Sequence, residues 1–199
     1  MDSISKGERT RSRIVAEAAA VFNQRGYEGT SMQNVMDATG LEKGGLYRHF
    51  SSKEELAAEA FQYAWGEAMA GRTRNLDDIQ GSVNKLLYIV DRFVTMRPSL
   101  PGGCPLMNMA VEADDGNPVL RALAHQALQE WQGRLIAIIK TGVAAAEIRR
   151  GTDARRLANH IIATLEGALM ISRLERNREA LIDAGKALAV ELDEIAIAS

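Results

Sequence analysis

Residues 38–50 read ATGLEKGGLYRHF, and this stretch decides the architecture of the N-terminal part of the chain. Thr39-Gly40-Leu41 is a three-residue turn with a central glycine, placed between two short helical patterns. The second helix is expected from about Glu42 to Phe50, with Leu46 and Phe50 one turn apart on one face. This spacing predicts a helix-turn-helix, whose second helix presents its N-terminal residues to bases in the major groove. Short helical hairpins with glycine turns also occur in unrelated bundles, so the pattern alone leaves a purely structural hairpin open.

The segments on both sides of this turn also have helical signatures. Upstream, Ile14, Ala18, Val21 and Phe22 share one face of a first helix that stops at Gly26. The sequence Thr30-Ser31-Met32-Gln33 has the form of a capping box in which the threonine oxygen accepts from the third amide. Downstream, Ser52-Lys53-Glu54-Glu55 predicts a second capping box that opens a long helix towards Arg74.

The rest of the chain is expected to form long helices separated by loops. Pro98, the turn-rich segment up to Gly103, the Asp114-Asp115-Gly116 loop and the Gly151-Thr152-Asp153 loop mark the breaks. The helices are expected at about 79–97, 104–113, 117–146, 153–175 and 178–197. No stretch alternates as a strand, so the fold class is predicted to be all-α, with about nine helices.

The bulk composition is that of an ordinary globular protein. The 199 residues are 46% apolar and 25% charged, which fits a soluble domain with a substantial core. The N-terminus has no basic start followed by an apolar stretch, and Lys140 and Glu166 interrupt the most apolar segments, so we expect a cytoplasmic protein without a signal peptide or membrane span. Cys104 is the only cysteine, and His125 and His160 lack metal-ligand spacing. We expect no metal and no cofactor.

Charge is distributed unevenly along the chain. The overall net charge is −2, but residues 1–53 hold eight Lys/Arg and six Asp/Glu, a net +2, and the remainder is net −4. Lys6, Arg9, Arg11 and Arg13 lie within eight positions. A basic N-terminal segment joined to an acidic remainder is typical of a nucleic-acid binder. A solvent-exposed start of a helix explains the same basic cluster equally well.

The residues around the turn resemble a known family. The run from Ala38 to Leu56, with the elements Leu46-Tyr47-x-His49-Phe50 and Lys53-Glu54-x-Leu56, is similar to the DNA-binding signature of the tetracycline-repressor (TetR) family. Residues 11–27 resemble that family's first helix. The resemblance implies a helix-turn-helix DNA-binding domain over residues 1–51 and a helical ligand-binding and dimerisation domain over residues 52–199.

The resemblance also implies roles for individual residues. Lys43 and Gly44 fall where the family reads bases, and Tyr47, His49 and Lys53 fall where it grips phosphate. Gly45 stands where the family often has Thr or Ser, which removes a hydroxyl contact, so Lys43 and Arg48 are the favoured base readers. Without the signature, Tyr47 and His49 would be read as packing and surface residues. The candidate DNA-binding set is Thr30, Ser31, Lys43, Gly44, Gly45, Tyr47, Arg48, His49 and Lys53.

The two terminal helices are candidates for a dimer interface. The eighth helix carries Leu157, Ile161, Leu165 and Ala168, with Ala158, Ile162 and Leu169 beside them, and the ninth carries Leu181, Leu188, Leu192 and Ile195. Such a pair can pack against its symmetry mate as a four-helix bundle, or it can complete the core of one subunit. The family resemblance favours a homodimer through helices 153–175 and 178–197.

The middle of the chain is rich in methionine and aromatic residues, which adapt to apolar ligands but at helical spacing also build ordinary cores. The candidate ligand-binding set is Phe61, Trp65, Met69, Phe93, Met96, Cys104, Met107 and Trp131. Few charges are interspersed, which favours a small, mainly apolar inducer. Cys104 is expected at the start of a short helix, where the helix dipole would favour a thiolate that reacts with electrophiles; a buried packing thiol is the alternative.

The predicted function is a one-component transcriptional regulator, a repressor that binds a pseudo-palindromic operator as a dimer and releases it on binding a small molecule or electrophile. The alternatives are an all-α ligand-binding enzyme with chemistry in a central cavity and an architectural DNA binder. The sequence shows no paired carboxylates for acid–base chemistry, no nucleophile with a base and no phosphate loop. An architectural binder would need more positive charge.

Overall fold

The computed structural model describes residues 5–197, and most of these residues are helical. Within this range the chain forms nine α-helices and one short 3-10 turn at Leu76–Asp78, and no strand longer than a single bridge. The all-α prediction is confirmed. The helices are α1 Lys6–Arg25, α2 Met32–Thr39, α3 Lys43–Tyr47, α4 Lys53–Thr73, α5 Ser82–Thr95, α6 Pro105–Ala113, α7 Pro118–Ala144, α8 Ala154–Glu175 and α9 Glu179–Ile195.

The helix starts follow from side-chain caps that satisfy the first backbone amides. Ser5 and Glu8 form a reciprocal capping box at α1. At α7, the Asn117 side chain accepts from the amides of Val119 and Leu120 at 2.9 and 3.0 Å, as its position before a proline predicts. Asp153 caps α8 by accepting from the Arg156 amide at 3.0 Å, and these hydrogen bonds lower the pKa of its carboxyl.

Two predicted capping boxes form differently in the structure. The box at α2 was placed one residue too early, because Ser31 accepts from the Asn34 amide at 3.2 Å and Asn34 accepts from the Ser31 amide at 3.0 Å. At α4, Ser52 accepts from the Glu55 amide at 3.0 Å as predicted, but the Glu55 carboxylate reaches back to Ser51 instead of Ser52. The start of α4 is right and only one hydrogen-bond partner is wrong, whereas the predicted start of α2 is one residue too early.

The contacts divide the chain into two compact units, with boundaries within α4, in the loop after α5 and within α7. The first comprises the residues up to Ala68 together with Pro98–Ala127, and the second comprises Met69–Arg97 with the residues from Leu128 onward. The predicted functional division at residues 51/52 lies inside the first unit and remains a prediction. In the described part of the chain no helix is long and apolar enough to cross a membrane.

The core of the first unit is built on α1. Its apolar face buries Ile14, Ala18 and Phe22, as its spacing predicts, and α2 and α6 pack against it. Leu46 and Phe50, at 0% and 1% exposure, add the buried face of α3 and of the turn after it. Each buried side chain of this size contributes about 1.5–3 kcal/mol, so the two short helices α2 and α3 are stabilised by tertiary packing and not by their own helix propensity.

The core of the second unit lies among α5, α8 and α9, which pack on one another. Most residues that predicted a partner-facing stripe on the last two helices are buried within the subunit: Ala158, Ile161, Ile162, Leu165, Ala168, Leu181, Leu188 and Leu192. These side chains complete the subunit core, so their assignment to a dimer surface is wrong. Different residues on the same helices remain exposed.

Candidate nucleic-acid interface

The turn between α2 and α3 has the geometry of a helix-turn-helix. Gly40 follows α2 with φ 63° and ψ 22°, a left-handed conformation that glycine adopts without a steric penalty. Leu41 and Glu42 complete the turn before Lys43 opens α3. A β-branched or bulky residue at position 40 would be strained, and for this reason the turn depends on glycine.

The recognition helix α3 is shorter than predicted. It ends at Tyr47, and Arg48 occupies the C-terminal cap, whereas the sequence predicted a helix to Phe50. The Phe50 amide still donates to the Leu46 carbonyl at 3.1 Å, so the chain stays compact as far as Phe50. Two consecutive glycines, Gly44 and Gly45, lower the helix propensity of this segment by up to about 1 kcal/mol each, which weakens the helix as a whole.

The short helix separates a buried face from an exposed one. Leu46 and Phe50 face the core, whereas Lys43, Gly44 and Arg48 are exposed and Tyr47 is 43% exposed. A Cβ placed on Gly44 would meet no atom within 4 Å, so nothing in the protein requires glycine there. A glycine on this exposed face leaves the backbone open to close approach by a molecule outside the chain.

A partly exposed ion-pair network of Arg11, Glu55 and Glu59 supports the recognition helix from the side opposite its exposed face. The Arg11 guanidinium donates to the His49 carbonyl, binds Glu55 at 2.9 Å and Glu59 more closely, and lies 4.1 Å from the centroid of the Phe50 ring. One arginine of α1 thereby fixes the residues directly after α3 and the first turns of α4.

Two of the four N-terminal basic residues are therefore engaged within the fold. Arg13, like Arg11, is paired, because it donates to the Thr39 carbonyl at the end of α2 and binds Glu17. The interpretation of this cluster as a general basic patch holds at most for Lys6 and Arg9. The sequence analysis missed this network, which we call the Arg11 buttress, because no local spacing links Arg11 to His49, Glu55 and Glu59, which lie 38–48 positions away.

The network perturbs the ionisation of its members. Hydrogen bonds from the Ser51 side chain, Arg11 and the Ser51 amide lower the pKa of the Glu55 carboxyl to about 2. Hydrogen bonds to Glu59 and then Glu55 raise the pKa of Arg11 above its ordinary value. The pair stays charged throughout the physiological range.

The remaining predicted DNA-binding side chains differ in accessibility. Ser31 is exposed, and His49 and Lys53 are half-buried. The Lys53 ammonium lies 4.2 Å from the centroid of the Tyr27 ring, a cation–π contact that positions it at the start of α4. Thr30 is only 1% exposed and its hydroxyl donates to the Gly26 carbonyl at 2.6 Å, so its side chain is part of the fold and not of the exposed surface.

Side chains of α6 form hydrogen bonds with the C-terminal end of α1 and the residues after it, within the first unit. The Glu112 carboxylate accepts from the amides of Tyr27 and Glu28, each at 2.7 Å. One turn earlier, the Asn108 side chain donates to the Asn23 carbonyl and to its side-chain oxygen, each at 3.0 Å. None of these five residues was selected from the sequence as functional, because asparagine and glutamate in a helix carry no signal for a contact 84 or 85 residues away.

The candidate ligand-binding residues are not all brought together. In the first unit Phe61 lines a small, mainly apolar cleft formed by α1, α4 and α6, where Met109 takes the place expected for Met107. Trp65 and Cys104 are buried in the same unit, and Cys104 caps α6 at 2% exposure. The cysteine is at the helix start as predicted, but its thiol is not at the surface.

In the second unit Phe93 and Trp131 meet directly. Their ring centroids are 5.8 Å apart and the planes are 12° from parallel. Met69 is buried, and Met96 packs so closely on Gly71 that a Cβ there would lie 2.5 Å from the Met96 sulfur. Sequence reading also missed a charged pair at these rings, since Arg72 and Glu166 were not selected from the helical pattern.

The described residues hold no group of three or more His, Cys, Asp or Glu side chains arranged for a metal ion.

An exposed recognition helix that follows a glycine turn and is supported by Arg11 defines the chain as a helix-turn-helix protein of the DNA-binding class.

Comparison with known proteins places the chain in a family. Residues 14–60 match the family described as bacterial regulatory proteins, tetR family, and residues 82–188 match the tetracycline repressor-like C-terminal domain. The chain is 30% identical over 172 residues to the transcriptional repressor DhaR of Mycobacterium sp. strain GP1, covering 86% of each chain.

Solved structures agree in fold over the whole chain. A TetR transcriptional regulator from Chloroflexus aurantiacus is 43% identical with a TM-score of 0.93, covering 97% of this chain and 98% of its own. A TetR-family regulator from Cytophaga hutchinsonii is 35% identical with a TM-score of 0.92, covering all of both chains. This chain therefore belongs to the TetR family and is a ligand-responsive, DNA-binding regulator of transcription. The comparisons give no support to the all-α enzyme alternative.

Proposed function

We propose that this protein is a repressor that binds a pseudo-palindromic operator as a homodimer. The observation that carries the proposal is that α3 and its C-terminal cap have two different faces. Leu46 lies on the buried face, and Lys43, Gly44 and Arg48 lie on the exposed face. Each subunit of a dimer would place one such helix in the major groove, so the operator has two inverted half-sites. The relative DhaR, itself named a repressor, supports the direction of regulation.

Two kinds of DNA contact are proposed for the exposed side chains. Lys43 and Arg48 read base edges, because their flexible cationic groups flank the open surface at Gly44 and suit guanine acceptors. Tyr47, His49, Lys53 and Ser31 hold phosphates, which sets the position of α3 without reading sequence. Lys53 is well suited to this role because its contact with Tyr27 orders a long side chain before DNA arrives. Thr30 is proposed only as support for the turn.

The dimer is proposed to form through the outward faces of α8 and α9. Five large apolar side chains on these helices are between 42% and 78% exposed: Met170, Ile171, Leu174, Ile182 and Val190. Since the inward faces of the same helices already fill the subunit core, these helices are apolar on two sides. Exposed apolar side chains concentrated on a terminal helix pair favour an isologous interface.

Operator release is proposed to proceed through α6. Asn108 and Glu112 bind the end of α1, and α1 packs on α2 and holds the His49 carbonyl through Arg11, so a change in the position of α6 would be transmitted to the helix-turn-helix. Cys104 begins this helix and is the proposed site where an electrophile would act, in addition to a small inducer. The test is operator release by N-ethylmaleimide in wild type and Cys104→Ser; equal release by both would remove Cys104 from the mechanism.

The regulatory proposal is tested by titrating the full-length protein onto the DNA upstream of its own gene. Fluorescence anisotropy at several salt concentrations should show two chains per site and an affinity that falls steeply as salt rises, because lysine and arginine displace counterions from phosphate. Binding that does not distinguish this DNA from a shuffled duplex of equal length would contradict a sequence-specific repressor.

A further inference from the structure

The Lys53 side chain at the start of α4 rests on an aromatic ring. Its ammonium lies 4.2 Å from the centroid of the Tyr27 ring, and both residues are half-buried. Tyr27 in turn stacks on Phe22 of α1, with ring centroids 6.4 Å apart and planes 21° from parallel. Ordering a lysine side chain costs rotamer entropy, and a cation–π contact near the surface returns only part of it. Stability alone therefore does not explain why Lys53 is held in this place.

The backbone of Tyr27 is fixed by a carboxylate of α6. Glu112 accepts from the amides of Tyr27 and Glu28, each at 2.7 Å. The position of this carboxylate requires glycine at position 26, because a Cβ there would lie 2.6 Å from one of its oxygens. The residue that carries the aromatic ring is therefore tied to the last turn of α6.

The first turn of α4 is tied to the start of α7. The Asn117 side-chain oxygen caps α7 by accepting from the amides of Val119 and Leu120. The amide nitrogen of the same side chain donates to the Glu54 carboxylate. One asparagine therefore both begins α7 and holds the residue next to Lys53.

Both tethers act on one place. Glu54 follows Lys53 directly in the chain and lies near the same ring, since burial and, after it, the Glu54 charge raise the pKa of Tyr27. Glu112 and Asn117 are only five positions apart, on either side of the loop between α6 and α7. We call these two residues the α6–α7 clamp. The clamp holds the ring through one residue and the start of α4 through the other.

We propose that the α6–α7 clamp positions Lys53 for its contact with operator phosphate, with Asn117 and Glu54 as the positioning residues on the α4 side. The inference rests on the proposed function, since it requires that Lys53 binds phosphate. A lysine that is ordered before DNA arrives loses less side-chain entropy on binding, so its contact contributes more to affinity. Without the bond from Asn117 to Glu54, the first turn of α4 is free to move away from Tyr27.

The first measurement is made without DNA on the full-length protein. Asn117→Ser removes the donor to Glu54 and keeps a good N-cap residue at α7. In protein with isotope-labelled lysine, the ε-methylene protons of Lys53, assigned with Lys53→Arg, should be shifted upfield in wild type by the Tyr27 ring. We expect this shift to be largely lost in Asn117→Ser. A shift that is absent in wild type, or unchanged in the variant, would overturn the proposal.

The second measurement is a double-mutant cycle on operator affinity. Asn117→Ser should weaken binding to operator and to shuffled duplex alike, by about three- to fivefold, the size of a lost cation–π contact. In the Lys53→Ala background the same substitution should cost less than about twofold, because there is then no ammonium to position. Equal losses in the two backgrounds would show that Asn117 acts independently of Lys53 and would overturn the proposal.

A rescue variant separates the hydrogen bond from other effects of position 117. Asn117→Asp alone places two carboxylates against each other and should lose both the upfield shift and operator affinity. Asn117→Asp combined with Glu54→Gln exchanges donor and acceptor across the same bond at the wild-type net charge. This double variant should recover the upfield shift and bind the operator within about twofold of wild type. A double variant that is no better than Asn117→Asp would overturn the proposal.

The control exchanges a helix cap in the second unit. Asp153 caps α8, and Asp153→Ser replaces it with another good N-cap residue. This variant should keep the Lys53 shift and operator affinity, and a loss equal to that of Asn117→Ser would overturn the proposal.

The inference and the function on which it rests fail in different ways. If Lys53→Ala leaves operator affinity and its salt dependence unchanged, the phosphate role of Lys53 is wrong, and the clamp has no role in DNA binding. If Lys53→Ala weakens binding as expected but Asn117→Ser costs the same with and without Lys53, only the clamp is wrong.

Discussion

The recognition segment of residues 38–53 and the terminal helix pair α8–α9 differ in how far local sequence determines their surfaces. In the recognition segment, a glycine turn and one buried face settle which side chains face outward, because α3 is a single turn with one apolar side. The terminal pair is apolar on two sides, so spacing alone does not say which side meets the subunit core. The comparison teaches that an amphipathic pattern identifies a surface only when the helix has one apolar face.

The largest expected effect concerns the terminal pair. Met170→Lys combined with Val190→Lys places charges on the exposed apolar face, and two-fold symmetry would bury each of them in a dimer. We expect wild type to sediment at about twice the 21.7 kDa chain mass, and the double variant to sediment as a monomer. Its operator affinity should fall at least about a hundredfold because linked binding of two half-sites is lost.

The control for that experiment is Val119→Lys, which charges an exposed valine at the start of α7, outside the terminal pair. It should remain a dimer and bind the operator as wild type does. A double variant that stays dimeric, or wild type that is monomeric at micromolar concentration, would show that the outward faces of α8 and α9 are not the interface.

The next effect separates two roles within the recognition segment. Lys43→Ala should relax preference at one base position at a cost of about 1–3 kcal/mol for the correct operator. Lys53→Ala should weaken binding to all sequences alike and reduce the salt dependence by about one phosphate contact. Anisotropy titrations on the operator and on single-base variants, each over a salt series, distinguish these outcomes. The same sequence-independent loss in both variants would contradict the division of roles.

Substitution of Gly44 should change stability and operator affinity in opposite directions. Because a Cβ at Gly44 meets no atom within 4 Å, Gly44→Ala should raise the free energy of unfolding by up to about 1 kcal/mol and still weaken operator binding at least about tenfold. Gly133→Ala in α7 also meets no atom, and it should stabilise the helix without changing operator affinity. Chemical denaturation and anisotropy measure the two quantities. Full operator affinity in Gly44→Ala would show that DNA does not approach this backbone closely.

Much of the fold could be predicted from the sequence because its signals are local. The starts of α6, α7 and α8 follow from a proline, an asparagine and an aspartate within a few residues of each helix, and the structure has all three. The contacts that hold the recognition segment in place are not local. Arg11 reaches His49 and Glu55, and Glu112 reaches Tyr27, and no spacing within a helix encodes these pairs.

The same limit explains why Arg72 was missed. A single arginine near the end of a long helix is read as solvent-exposed, since such side chains usually extend to water. Only the assembled core shows that Phe93, Trp131 and Glu166 come from three other helices to meet it.

The smallest expected effect concerns the buttress behind α3. The folded-state pKa of Glu55 is lowered from 4.5 to about 2, so its contribution to stability is present above about pH 4.5 and is lost as the pH falls towards 2. Glu55→Gln should therefore lower the unfolding temperature slightly at about pH 6, and the difference from wild type should shrink by about pH 3. Glu67→Gln, an exposed carboxylate on the same helix, should show no such convergence in thermal melts.

The most direct test of the central claim is selection of binding sites from a random duplex pool by the full-length protein. We expect enrichment of one motif made of two inverted half-sites, with the preference at one position in each half lost in Lys43→Ala and the half-site spacing unchanged. An enriched motif with a single asymmetric site, or no enrichment over the starting pool, would contradict a dimer that reads its operator through α3.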